Sequence, residues 1–222
     1  MTSVILDTLM TPVIKHVKSG RKSEVSPMRV TKEKAARNRK EILTSAARLF
    51  REQGIGATGV DSITEDAGLT HGGLYSQFGS KQAIVAEAIR FALERSKRGW
   101  RRAAQSKPEK KALSDIVATY LSRAHRDSPG QGCLVAALSS DIARQPEVVR
   151  QVFTRELKDV FEFLAGLMPE DTPLRRYEDA IAAFACMVGA VILARAVSDE
   201  ALSSRILKTA AKRVGRITKV SG

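Results

Sequence analysis

The sequence has little of what enzymes and metal proteins are commonly built from. Its two cysteines, Cys133 and Cys186, form neither a metal-ligand spacing nor a disulfide framework. The three histidines, His16, His71 and His125, stand far apart, and no HExxH, CxxC or phosphate-cradling glycine loop accompanies them. No catalytic residue, metal ligand or cofactor is therefore expected. Aromatics are only 5% of the chain, and alanine and leucine dominate the apolar residues, which favours helices over strands. No segment alternates as a strand does, and no internal repeat is visible. The longest uncharged run, Ala180–Ala194, is fifteen residues, short for a bilayer. The opening stretch carries Asp7 and does not read as a signal peptide. The expectation is a reduced, cytoplasmic protein with no membrane partner.

What is present in excess is positive charge. Lys and Arg number 37 against 24 acids, a net of +13. Residues 1–40 and 81–111 each carry ten bases and three acids, whereas 41–80 is net −3 and 112–222 net +2. Basic blocks beside a near-neutral body point to a polyanion, nucleic acid before membrane.

Residues 1–30, with Pro12, Gly20 and Pro27 and no sustained period, read as a basic flexible tail. Met28 precedes the first helix and is a candidate translation start, the alternative being a genuine extension. Apolar residues at helical spacing, Ile42, Leu43, Ala46, Ala47, Leu49 and Phe50, predict a first helix from about Thr31 to Gln53, ended by Gly54 and Gly56. Thr58 is a candidate cap for a helix over Val60–Ala67, Thr70 for one over His71–Phe78, and Ser80 for a long one from Lys81. Beyond them come a stripe over Leu113–Ala124, a short apolar helix over Cys133–Ala143 and a helix after Pro146 carrying Val149 to Leu167. Two long helices, Leu174–Arg195 and Glu200–Arg216, complete about nine in an all-α chain.

The central string runs from Thr58 through Gly68-Leu-Thr-His-Gly-Gly-Leu-Tyr-Ser-Gln-Phe78 to Lys81. It describes two short helices joined by a sharp turn at Gly68, with Ile63, Ala67, Leu69, Leu74 and Phe78 pinning them to the first helix. His71, Gly72, Gly73, Tyr75, Ser76 and Gln77 are left outside. A helix of this kind fits the major groove, and Gln pairs bidentately with adenine. His71 is either a base reader or a solvated helix start. The bases around Arg37 and Arg39 are either an ordinary charged helix start or a contact to the DNA backbone. Arg95, Lys97, Arg98, Arg101 and Arg102 read as a solvated face.

This string resembles the helix-turn-helix of the TetR family of bacterial regulators, over about Lys40–Ala88. It is similar in particular to a branch whose recognition helix opens His-Gly-Gly. The resemblance implies that Thr58 and Val60 open a helix crossing the DNA backbone. It implies that Thr70, His71, Gly72, Gly73, Ser76 and Gln77 face the major groove, with Tyr75 and Lys81 on phosphates. Many members carry a side chain where Gly73 stands, so readout here leans on His71, Ser76 and Gln77.

The expected organisation is a tail (1–30), a helix-turn-helix domain (31–80) and a ligand-binding and dimerisation domain (81–218). The run Ala180–Ala194, apolar all round, needs cover on every side, and a second subunit against the last two long helices supplies it. Cys186 within it reads as packing. The expected function is a homodimeric transcriptional regulator, a repressor released from a palindromic double-stranded operator by a small-molecule or thiol-reactive signal. The alternative is a non-specific nucleoid-type DNA binder. Effector candidates are the apolar residues Trp100, Tyr120, Leu121, Leu138 and Phe184. Cys133 joins them because it falls at a helix N-terminus, where thiolates are stabilised, with Arg123 and Arg126 close in sequence. The Gly-Cys-Leu opening there also resembles family members in which this cysteine senses oxidants.

Overall fold

Helices account for all the regular structure in the computed structural model, which describes residues 32–105, 107–169 and 172–217. The basic tail and Met28 lie outside the described residues. In chain order the helices are α1 (Lys32–Gln53), α2 (Val60–Asp66), α3 (His71–Phe78), α4 (Lys81–Ala104) and α5 (Glu109–Tyr120). They continue as α6 (Arg123–Asp127), α7 (Leu134–Ile142), α8 (Glu147–Ala165), α9 (Pro173–Ala196) and α10 (Glu200–Ile217), with a 3-10 turn at Pro129–Gln131.

α1 buries the predicted stripe, Ile42, Leu43, Ala46, Ala47, Leu49 and Phe50, and lies along α4. It stops because Gly54 takes φ 87°, a left-handed conformation that costs glycine little. Asp141 of α7 then accepts the Ile55 N–H at 2.9 Å, tying the end of α1 to the C-terminal helices. Gly68, at φ 64°, turns the chain between α2 and α3. The Ser80 hydroxyl caps α4, accepting from the Ala83 N–H at 3.1 Å.

Two predicted caps are not made. Thr58 is fully buried and donates its hydroxyl back to Gly54 O at 2.8 Å, so Gly59 holds the N-cap position of α2. Thr70 sits at the N-cap of α3 but makes no side-chain cap bond. The predicted stripe over Leu113–Ala124 is two helices rather than one. α5 ends at Tyr120, and Ser122 starts α6 by accepting the His125 N–H at 3.1 Å, which raises the expected nine helices to ten among the described residues. α6 departs from the stripe because α9 and α10 hold it. The Arg195 Nε and Nη2 groups donate to the carbonyls of Arg126 and His125, and Arg126 donates to Ser203 and pairs with Glu200. α8 stops at Ala165, leaving Leu167 beyond it in the core.

α9 is longer than its uncharged run, because Arg175, Arg176, Glu178 and Asp179 occupy its first turns. By length and composition alone it is apolar enough to cross a membrane. Its Ala183, Phe184, Met187 and Val191 face packs on the body of the fold, while Ile192 and Leu193 remain exposed.

Candidate functional site

The two short helices are held from below and open above. Ile63 and Leu74 are fully buried and Phe78 nearly so, fixing α2 and α3 against α1 and α4. This anchoring leaves His71, Gly72, Tyr75 and Ser76 exposed, with Gly73 and Gln77 half-buried. A Cβ at Gly72 would meet nothing, so the helix presents bare backbone there. Tyr75 stands 43% exposed, with the other outward residues of this helix rather than in the core.

His71 is not simply solvated. Its Nδ1 lies 2.5 Å from Asp61 Oδ1, across the turn from α2, and its ring stacks on Tyr75 at 5.2 Å. Asp61 thus orients His71, a role the sequence concealed because the nine residues between them carry no shared period. Val60 is half-buried at the first turn of α2, and Lys81 is half-buried at the start of α4.

Two proposed backbone contacts need correction. Thr58 is internal, as described above, and its side chain does not reach the surface. Arg39 is committed within the fold: it donates to Gln77 O at 2.9 Å, pairs with Glu87, and lies 4.2 Å over the Phe78 ring. It clamps α1, α3 and α4 together. Arg37 remains exposed on α1.

Behind this face lies an apolar cavity of about 220 Å³. Of the effector candidates, Trp100, Tyr120, Phe184 and Cys133 line it, whereas Leu121 and Leu138 are core residues outside its wall. Phe184 meets Trp100 and Tyr120 edge-on at 6.3 and 6.0 Å. The Tyr120 hydroxyl is buried beside Cys133 and finds no nitrogen or oxygen partner among the described residues. Burial first, then the neighbouring Cys133, pushes this phenol well above its ordinary pKa. Cys133 is the N-cap of α7, and its N–H donates to His125 Nε2 at 2.8 Å. His125 Nδ1 in turn donates to Tyr120 O at 2.6 Å, so both ring nitrogens call for the neutral imidazole. Burial holds His125 below its ordinary pKa. The arginines near Cys133 are Arg51 and Arg195 rather than Arg123 and Arg126, which are engaged by Glu200, Ser203 and Ser204.

The late-α4 bases are not a uniform solvated face. Lys97 is 5% exposed and binds Glu156 at 3.1 Å and Asp159 at 2.8 Å, linking α4 to α8. Burial alone lowers its pKa, but the two carboxylates outweigh burial and hold the ammonium above its ordinary value. Arg95 and Arg102 line a second, polar cavity of about 230 Å³, together with Arg51 of α1.

Residues 42–88 match the family model described as bacterial regulatory proteins, tetR family. Over 56 residues the chain is 45% identical to the HTH-type transcriptional repressor KstR2 of Rhodococcus jostii, 25% of this chain and 28% of that one. Over 82 residues it is 34% identical to the HTH-type transcriptional regulator TtgR of Pseudomonas putida, 37% and 39% of the two chains. The matched segments therefore span well under half of these relatives' lengths. Among solved structures, reduced Escherichia coli NemR superposes with a TM-score of 0.69 at 18% identity, covering 82% of this chain and 98% of that one. A TetR-family regulator from Cytophaga hutchinsonii gives 0.70 at 20% identity, covering 85% and 98%. The all-helical fold with its N-terminal helix-turn-helix is that of TetR-family regulators.

Proposed function

We propose that the chain is a homodimeric, sequence-specific DNA-binding transcriptional regulator, a repressor released from a palindromic operator by a signal at its C-terminal helices. The observation that carries this reading is the presentation of α3. Its apolar residues are buried on α1 and α4, while Gly72, His71, Tyr75 and Ser76 stand out together. Such a helix enters the major groove with its N-terminal residues at base edges. His71, Ser76 and Gln77 read bases, Thr70, Gly72 and Gly73 bring backbone close to them, and Tyr75, Lys81 and Arg37 meet phosphates. The His-Gly-Gly opening of α3 supports a likeness to the branch whose recognition helix begins in the same way.

The dimer forms through α9 and α10. Ile192, Leu193 and Leu202 are exposed there, beside an open apolar groove of about 560 Å³. Residues 31–80 act on DNA, and residues 81–218 carry the signal. One form of that signal is thiol-reactive, because Cys133 lines the apolar cavity; the comparison of wild type with Cys133→Ser under a mild electrophile checks it.

The deciding experiment selects a preferred DNA from a random pool and compares its affinity with random sequence at fixed salt. A regulator favours the selected palindrome by about 10³-fold or more. A ratio near one replaces this reading with a nucleoid-type binder.

A further inference from the structure

The polar cavity has a composition that DNA binding does not use. Arg51 reaches it from α1, Arg95 and Arg102 from α4, and Thr44, Ser96 and Gln131 add polar groups. Arg51 spends two of its N–H groups on Gly130 O, through Nε at 2.9 Å and through Nη2. None of the three arginines forms an ion pair among the described residues. Burial lowers the Arg51 pKa to about 10; Cys133 and Glu52 pull against this, and Arg95 adds repulsion. Arg51 is thus a largely desolvated guanidinium whose hydrogen bonds go to a carbonyl rather than a carboxylate, and an anion in the cavity offsets the cost of burying it.

The polar cavity also adjoins the apolar one. Ser96, Gly99, Gln131 and Gly132 belong to the walls of both. Together the two chambers reach the size of small-molecule sites, roughly 300–1,000 Å³. One end offers arginines; the other offers Trp100, Phe184, Leu93 and the buried Tyr120 hydroxyl.

We propose that these chambers form one binding site for a small amphipathic anion, a carboxylate or phosphate ester on a flat apolar body. The anionic head sits among Arg51, Arg95 and Arg102, and the body lies in the apolar chamber against Trp100 and Phe184. This rests on the regulator reading for its consequence, not for its binding. The head group bridges α1 and α4, the two helices against which α3 is held, so occupancy favours one spacing of α1 and α4 over another.

Calorimetry on the full chain tests the binding with three probes: 2-naphthoate, naphthyl phosphate and the neutral 2-naphthamide. At least one anionic probe is expected to bind about tenfold or more tighter than the amide, since hydrogen bonds to a charged group carry that much. Whichever anion binds tighter identifies the head group. In Arg95→Gln/Arg102→Gln, two exposed positions, the preference for the anion is expected to collapse while amide affinity stays. Equal binding of acid and amide by the wild type overturns the proposal, as does failure of every anionic probe to bind at millimolar concentration. Persistence of the preference in the double variant overturns it equally. Operator release by the tighter probe is measured separately. If the chain shows no site preference on DNA but still prefers the anions, the regulator reading fails and the binding site stands.

Discussion

At single residues, the fold separates side chains that face outward from side chains that hold the face in place. Gln77 is half-buried and its carbonyl is taken by Arg39, which fixes the backbone from which its amide projects. Gln77→Ala is expected to cost about 1–3 kcal/mol on the best operator and to relax preference at one base pair. An unchanged preference in a selection experiment removes Gln77 from the readers. His125 supports a different measurement. Its neutral ring accepts the Cys133 N–H and donates to Tyr120 O, and its pKa is depressed below the ordinary 6.5. The unfolded chain therefore binds this proton more readily than the folded one. Stability is full above about pH 6.5 and falls as acidification approaches the lower folded pKa. Thermal melts across that window check it: the acid loss should shrink in His125→Gln, and an equal loss in both proteins excludes His125 as its source.

Among the helices, α4 carries the most varied duties. Its N-terminus is capped by Ser80 and begins with Lys81, and its middle packs on α1 and α8. Lys97 crosses to Glu156 and Asp159. Because Lys97 and Glu156 are both buried, Lys97→Met leaves the Glu156 carboxylate with only the exposed Arg90, 3.7 Å away, and is expected to destabilise by about 3 kcal/mol. The double change Lys97→Met/Glu156→Leu should recover most of that loss in chemical denaturation. A double variant as unstable as the single one shows that packing, not charge, dominates there. Ser80→Ala should cost about 1 kcal/mol through the lost cap.

For the whole molecule, the exposed apolar residues concentrate where α9 and α10 turn outward. Ile192 and Leu193 on α9 and Leu202 on α10 are large and uncovered. Leu193→Asp is expected to shift the protein toward monomer in sedimentation or size exclusion while leaving helix content unchanged. Because two half-sites roughly 34 Å apart need two linked recognition helices, operator affinity should fall with it. A variant that remains dimeric with full operator affinity moves the interface elsewhere.

Local physics made the helices legible. The α1 stripe, the glycine stops at Gly54 and Gly68 and the Ser80 cap depend on neighbours a few residues away, so the sequence itself specified them. The outward set on α3 followed from the same periodicity, with His71, Gly72, Tyr75 and Ser76 opposite Leu74 and Phe78. Long-range partners were beyond that reach. The break at Ser122, the burial of Thr58 and the capture of Arg39 by Gln77 and Glu87 each depend on which segments meet. Late-α4 bases that look alike in sequence were sorted by position around the helix: Lys97 turns toward α8, while Arg95 and Arg102 turn toward a cavity beside Arg51. A charge declares its sign in the sequence, but its partner and its solvation are set only when distant helices close around it.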